Sequence, residues 1–317
     1  MLYRHLSQIK NFKSKSAIAI GNFDGMHLGH KYIISNLIAV ARSKGLQSCV
    51  MLFDPQPQQF FAKAGFSRVM SFRDKYATLT QMGVDHIICL RFDRKLVSIR
   101  HQDFYQEILK NKLNMQALIV GYDFHFGKDR LGDLAFLQRQ AKADNTSLSV
   151  ITPKEYNLGQ DSLGIISSSR VRELIKDNDL ISAAKLLGQL YAISAKVIHG
   201  EKLGAKLGFK TANLALDNNR VINNGIYVVK VSIANKDCYG VANVGFRPTV
   251  GGTTRLLEVN CFAEVGNIYG VRIKVGFIHF LRPEQKFDSL AELQSNIEND
   301  VKIGKEFLSG NDGVKYP

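Results

Sequence analysis

The chain has no tryptophan, only six prolines and only four cysteines in 317 residues. Cys49, Cys89, Cys238 and Cys261 are far apart, with no CxxC pair. That spacing excludes a zinc ribbon, a CxxC redox motif and a disulfide framework, and a reducing cytoplasm is the expected setting. Cys49 and Cys89 lie in apolar runs expected to be core strands. No apolar run approaches the ~20 residues of a membrane span. The basic N-terminus, MLYRHLSQIKNFKSKS, lacks the apolar stretch and small-residue cleavage site of a secretory leader. Internal repeats and low-complexity segments are missing too. Acidic residues are also few: 28 Asp plus Glu against 42 Lys plus Arg, a formal charge of +14.

An apolar fraction of 45% and a charged fraction of 22% describe a folded chain. The length predicts about two domains, each able to bury a core without metal or disulfide staples. The positive balance points to anionic partners: nucleic acid, a lipid surface or phosphorylated small molecules. A solvated surface that is merely basic accounts for it equally well. The excess is spread along the chain, 26 basic against 16 acidic side chains over residues 1–188 and 16 against 12 over 189–317. No dense Lys/Arg stripe with interleaved aromatics marks a nucleic-acid surface.

Residues 1–188 alternate strand-like and helix-like segments. AIAI (17–20), SCVMLF (48–53), VDHIICLRF (84–92), ALIVG (117–121) and LSVIT (148–152) read as strands. Helical patterns separate them: one opening near His30, then 72–82 behind Ser71, 101–113 and 131–143. This rhythm predicts a Rossmann-like parallel sheet with helices on both faces. Two short helices, SRVRELIK and DLISAAKLLG, end the region. Beyond residue 188 the period changes to alternation, in YAISAKVIH, GIYVVKVSIA, CYGVANVG, RLLEVNCFAE and VRIKVGFIHFL. An antiparallel β-barrel with one closing helix, LAELQSNIENDVKIGKEFL, is expected over 189–317.

The sharpest motif is GNFDGMHLGH, Gly21 to His30, between the first predicted strand and helix. Gly21, Gly25 and Gly29 let the backbone turn tightly and approach a ligand. Free N–H groups and the positive dipole end of the helix form an anion site there. His27 and His30, three apart, can share one side of the first turn and donate to charge developing on a phosphate. A tight turn with incidental histidines and a zinc site are the alternatives; no third Cys or His stands nearby at ligand spacing. A P-loop is excluded, since GxxxxGK[ST] is absent. Near the end of the first region, IleSerSerSerArgValArg (166–172) offers serines to cap a helix and bind phosphate oxygens, with Arg170 and Arg172 as charged donors. Alone, it reads as an N-capped surface helix.

The first motif resembles the HxGH signature of the nucleotidyltransferase superfamily, and residues 166–172 are similar to its ISSTxxR element, with Ser169 where Thr is usual. FDPQPQQFF (53–61) resembles FxPxPxxFF, and GYDFHFGKDRLGD (121–133) resembles GxDFxFGxxRxGD, of the bacterial bifunctional riboflavin kinase/FMN adenylyltransferases. Gln56 stands where that family usually has His, and His125 where it often has Arg. The resemblance continues through VIHGEKLGAKLGFKTANL (197–214), GVANVGFRPTVGG (240–252), LLEVNCF (256–262) and IYGVRIKVGFIHFLRPEQKF (268–287). Ala205 replaces the usual Arg and Lys210 the usual Pro.

The resemblance implies two activities in one chain. Riboflavin is phosphorylated to FMN by MgATP in the barrel, and FMN is adenylylated by a second ATP to FAD and pyrophosphate in the parallel-sheet domain. His27, His30, Ser169 and Arg172 would act on the triphosphate, and Glu258 would be the base for the ribityl hydroxyl. Gly21, Asn22, Phe23, Asp24, Gly25, Gly29, Pro55, Pro57, Asp123, Phe124, Phe126, Gly127 and Ser168 would line the first site. Gly204, Gly208, Lys210, Asn243, Arg247, Pro248, Thr249 and Arg282 would line the second, with Thr211 and Asn213 holding Mg²⁺. Small molecules are then the partners, with no nucleic acid, membrane or obligate protein partner implied. An adenylyltransferase whose barrel only binds flavin stays open, because of Ala205 and Lys210.

Overall fold

The computed structural model describes residues 1–9, 12–62, 65–152, 155–158, 161–199, 211–234, 236–249 and 252–310. Its contacts divide the chain into two compact units, Met1–Phe66 with Ser71–Ser168, and Ser67–Met70 with Ser169–Pro317.

The first unit is built on a six-stranded parallel sheet. Its strands are β1 (Leu2–Tyr3), β2 (Ser16–Ile20), β3 (Gln47–Asp54), β4 (His86–Arg91), β5 (Met115–Gly121) and β6 (Ser147–Ile151), in the order β1-β4-β3-β2-β5-β6. Parallel strands covered on both faces need unbroken apolar runs. Accordingly Ala17, Ile18, Ala19, Val50, Met51, Ile88 and Ile119 are all fully buried. Helix α1 (Leu28–Ser43) buries Ile34, Leu37 and Ala41, one stripe at helical spacing. The helix Phe72–Gln81 begins, as expected, behind Ser71, whose hydroxyl accepts from the Asp74 N–H at 3.0 Å. The segment expected to be helical over 101–113 is a short α-turn, His101–Asp103, continued as a π-helical stretch, Phe104–Lys112. A small hairpin, β7 (Glu155–Leu158) and β8 (Asp161–Ile165), has no counterpart in the sequence reading.

Strand order fixes where a ligand can enter. β2 is flanked by β3 and β5, and the chain crosses over the sheet between β4 and β5. The loops after β2 and β5 therefore leave the carboxyl edge on either side of the reversal point, where open α/β sheets bind ligands. These loops are 21–27 and 122–133, the two motif loops.

The second unit is a closed antiparallel barrel in the order β10-β13-β12-β11-β14-β9. Its strands are β9 (Tyr191–Ile198), β10 (Thr211–Ala215), β11 (Gly225–Ile233), β12 (Lys236–Thr249), β13 (Gly252–Cys261) and β14 (Arg272–Arg282). Leu214, Tyr227, Val229, Val244, Leu257 and Phe277 fill the interior, all fully buried. The expected closing helix runs Leu290–Gly310. It lies close on the barrel at Gly304, where an added Cβ would come within 2.9 Å of Val241 Cγ1. Among the described residues no helix is long and apolar enough to cross a membrane.

Candidate active sites

The loop after β2 turns on three residues in the left-handed region: Phe23 (φ 46°), Gly25 (φ 83°) and Met26 (φ 46°). Two of the three are not glycine, so packing must hold them there; Phe23 and Met26 are both buried, at 3% and 0% exposure. Lys75, itself buried, donates its ammonium to the Asn22 carbonyl. The helix opens at Leu28 rather than near His30, because His27 is its N-cap. The His27 Nδ1 accepts from the His30 N–H at 3.3 Å. The two imidazoles stack with centroids 3.5 Å apart, and Phe23 meets His30 edge-on at 5.2 Å. Gly29 makes the close approach possible, since a Cβ there would lie 3.2 Å from His27 Nδ1. Gly21 likewise leaves room for the Phe23 ring.

The segment 166–172 reaches the same loop through Ser168, whose hydroxyl donates to the Asp24 carbonyl at 3.0 Å across 144 residues. Ser168 opens the helix Ser168–Lys176, on which Ser169 is exposed and Arg172 half-buried. Arg170 pairs with Glu173 at 3.3 Å.

The flavin-like loops divide into anchor and surface. Phe126 is 7% exposed and packs among Phe104, Phe136 and His101, so it anchors the loop in the core. That is a narrower role than the ligand surface expected from the sequence. Phe124, stacked on Phe126 at 5.5 Å, is only half-buried. Gly127 (φ 74°) cannot carry a side chain, since a Cβ would sit 2.6 Å from the His101 backbone. Asp123 is exposed at the loop start. On the β3 loop, Pro55 and Pro57 flank Gln56, which is 5% exposed. Phe60, Phe61 and Phe92 form an aromatic cluster there, with Phe61 63% exposed.

In the barrel, strand register assembles the second site. Asn213 on β10 lies directly opposite Glu258 on β13, and Asn243 on β12 lies directly opposite Glu258 from the other side. Alternation puts their neighbours Leu214, Val244 and Leu257 in the core and this row of three on the outer face. The carboxamide oxygens of Asn213 and Asn243 are buried and have no hydrogen-bond partner among the described residues. Arg247 Nη2 donates to Glu258 Oε1 at 2.6 Å, which orients the carboxylate. Thr211, two residues before Asn213, shares its face. A cavity of about 200 Å³ lies over this face. Thr211, Asn243, Glu258 and Glu284 are among its polar lining residues, and Ile226, Phe287 and Ile297 among its apolar ones.

Arg282, expected at the ligand, also lines this cavity, but its guanidinium is engaged by the closing helix. Nε and Nη2 bind the two carboxylate oxygens of Asp300 at 2.8 and 2.7 Å. Asp300, 4% exposed, is a residue sequence reasoning missed. Nothing in its local pattern distinguishes it from other helical carboxylates. Pro248 and Thr249 lie on the distal part of β12, paired with Thr253 and Gly252. Gly204, Ala205, Gly208 and Lys210 lie outside the described residues.

Comparison with known proteins agrees with both halves. A model of the FAD synthetase family matches residues 9–169 and one of the riboflavin kinase family matches residues 187–308. Proteins described as bifunctional riboflavin kinase/FMN adenylyltransferase are similar end to end. That of Haemophilus influenzae is 38% identical, covering 97% of this chain and 99% of its own. That of Pseudomonas fluorescens is 39% identical over 96% of each, and that of Buchnera aphidicola from Schizaphis graminum 35% over 97% and 99%. A solved structure described as a macrolide-efflux protein of Streptococcus pneumoniae shares the fold across both units, with TM-score 0.80, 28% identity and coverage of 96% and 98%. The chain belongs to the bifunctional riboflavin kinase/FMN adenylyltransferase family.

Proposed function

We infer that this protein makes FAD in two steps, phosphorylating riboflavin to FMN with ATP over residues 189–317 and adenylylating FMN with a second ATP over residues 1–188. The observation that carries the reading is the presence, in one chain, of two polar clusters of different build, each suited to phosphate: a glycine- and histidine-rich helix start, and a carboxylate flanked by buried amides.

In the adenylylation, an FMN phosphate oxygen bonds to the α-phosphorus of ATP and the α–β bridging bond breaks, releasing pyrophosphate. The nucleophile is already anionic, so the work is alignment and neutralisation of charge. His27 and His30, at the N-terminus of α1, donate to the α-phosphate. Ser168, Ser169 and Arg172 hold the leaving pyrophosphate. The aromatic faces of Phe60, Phe61 and Phe124 receive the flavin ring.

In the phosphorylation, the ribityl 5′-oxygen attacks the γ-phosphorus, Glu258 takes its proton and ADP leaves. Arg247 keeps the Glu258 carboxylate pointed at that oxygen. Thr211 and Asn213 suit Mg²⁺: they offer hard oxygen donors on one face, and the Asn213 carboxamide oxygen is a buried acceptor awaiting a partner. When bound, the ion supplies charge neutralisation at the phosphates. The cytoplasm is the proposed location. Incubating the purified protein with riboflavin, ATP and Mg²⁺ and separating products by chromatography tests the whole reading. FMN should appear first and FAD follow; FMN supplied without riboflavin should give FAD directly. Failure to consume riboflavin while FMN still becomes FAD would leave an adenylyltransferase with a flavin-binding barrel.

A further inference from the structure

The kinase reading gives tasks to Glu258, to Asn213 and to Thr211, and leaves one polar group beside the acceptor alcohol without a task. Asn243 faces Glu258 directly across β12 and β13, on the side away from Asn213. Its carboxamide oxygen is buried and meets no donor among the described residues. Buried acceptors in native folds are nearly always satisfied, by protein, ordered water or ligand, and a ligand hydroxyl in the adjoining cavity is one such partner. Asn243 also lines the cavity together with Glu258, and Ile226, Phe287 and Ile297 give the same cavity apolar lining. A ligand with a flat apolar ring and a hydroxylated tail finds hydrogen-bonding partners for its tail in Asn243 and Glu258 and apolar side chains for its ring in the same cavity.

Directly opposed residues hold their Cβ atoms about 4.5–5.5 Å apart. The side-chain ends of Asn243 and Glu258 can therefore be reached by hydroxyls on neighbouring carbons of a single polyol. An amide is also suited chemically to this position. It accepts a hydrogen bond without competing for the proton that Glu258 removes. An acid there would set a second carboxylate beside the base and raise its pKa.

We propose that Asn243 is a specificity-determining residue that accepts a hydrogen bond from the hydroxyl next to the one phosphorylated, so that the site selects acceptors ending in a 1,2-diol. This deepens the kinase reading and rests on it. The experiment compares riboflavin with 4′-deoxyriboflavin as acceptors for the parent and for Asn243→Ala, by kcat/KM with MgATP. The parent should prefer riboflavin roughly 10- to 100-fold, because the analogue leaves the buried oxygen unsatisfied. Asn243→Ala should lose activity on riboflavin but treat the two acceptors within about threefold of each other, since the group that tells them apart is gone. Should the alanine variant not fold, Asn243→Leu, close in volume and without an acceptor, carries the same comparison. A parent that uses both acceptors equally overturns the assignment, as does a variant that keeps the full preference. A parent that phosphorylates neither acceptor yet converts FMN to FAD overturns the kinase reading itself, and the assignment of Asn243 with it.

Discussion

The loop after β2 and the outer face of the barrel, the two proposed ATP sites, are built from different materials. The loop relies on backbone: three residues in the left-handed region, a helix N-terminus, and an imidazole that doubles as the helix cap. Its motif spans ten consecutive residues, tied down from elsewhere in the chain by Lys75 and Ser168. The barrel face relies on side chains brought into one row by register, from strands that begin at residues 211, 236 and 252. The first site is mainly a local turn and helix start, and the second a consequence of topology. A substitution in the loop should act through the shape of one turn, whereas one on the barrel should act through a single side chain or through closure of the helix.

The largest effect expected from breaking this contrast is at Glu258. Glu258→Gln keeps the size of the side chain and removes its basicity, so FMN formation should fall by about 10²–10⁴. FAD formation from supplied FMN should stay near the parent rate, because that nucleophile needs no base. Chromatographic rates of both reactions on the one variant check this, and loss of both by a folded protein would mean that the two chemistries are not separable. Next is His30→Ala, with an expected loss of about 10²–10³ in FAD formation and FMN formation retained. Near-normal FAD synthesis would leave the stacked imidazoles as a helix cap and nothing more.

A smaller and structural effect tests helix closure. Removing one partner of a buried ion pair costs about 3–5 kcal/mol. Asp300→Ala should therefore lower the barrel's stability in denaturant and depress FMN formation, since Asp300 and Ile297 wall the cavity, while FAD formation from FMN persists. The smallest effect is a pH dependence. His279 on β14 stacks on Phe307 of the closing helix at 4.3 Å, and burial lowers its pKa below the ordinary 6.5. Burial lowers that of His86 in the parallel-sheet unit as well. A folded state that keeps these rings neutral binds fewer protons than the unfolded chain. Their contribution is complete above pH about 6.5 and is lost as pH falls from there toward the folded values. Tm measured from pH 7.5 down to 5 should decline, and His279→Phe should remove part of that slope. An unchanged slope would show that the His279 contact does not report on proton binding.

What could be read from the sequence follows the same division between local and topological. The helix start at the HxGH loop was visible because its glycines and histidines are consecutive, although the boundary lay two residues early, at Leu28, since a histidine cap is not among the usual caps. The parallel sheet was visible in its apolar runs. The two-residue β1 was not, because Leu2 and Tyr3 carry no periodicity and owe their pairing with Ile87 and Ile88 to the sheet already present. In the barrel the individual strands were legible from alternation. The pairing of Asn213 with Glu258 was not, because register depends on which strands meet. Asp300 was hidden for the same reason: only the folded helix brings it to Arg282.

Closure of the barrel also constrains the order of events during synthesis. Its first strand pairs with its last, Tyr191 of β9 against Phe277 of β14, which closes the ring. The ring therefore stays open, with apolar interior faces exposed, until β14 has emerged from the ribosome, whereas the strands of the parallel sheet all lie within the first 151 residues. Domains form from the N-terminus forward as the chain is made, and distant strand pairing is slow. A ribosome stalled after β13 should carry an assembled, protease-resistant sheet unit followed by a barrel segment that protease still cuts. Release of the rest of the chain should then protect the barrel in a single step.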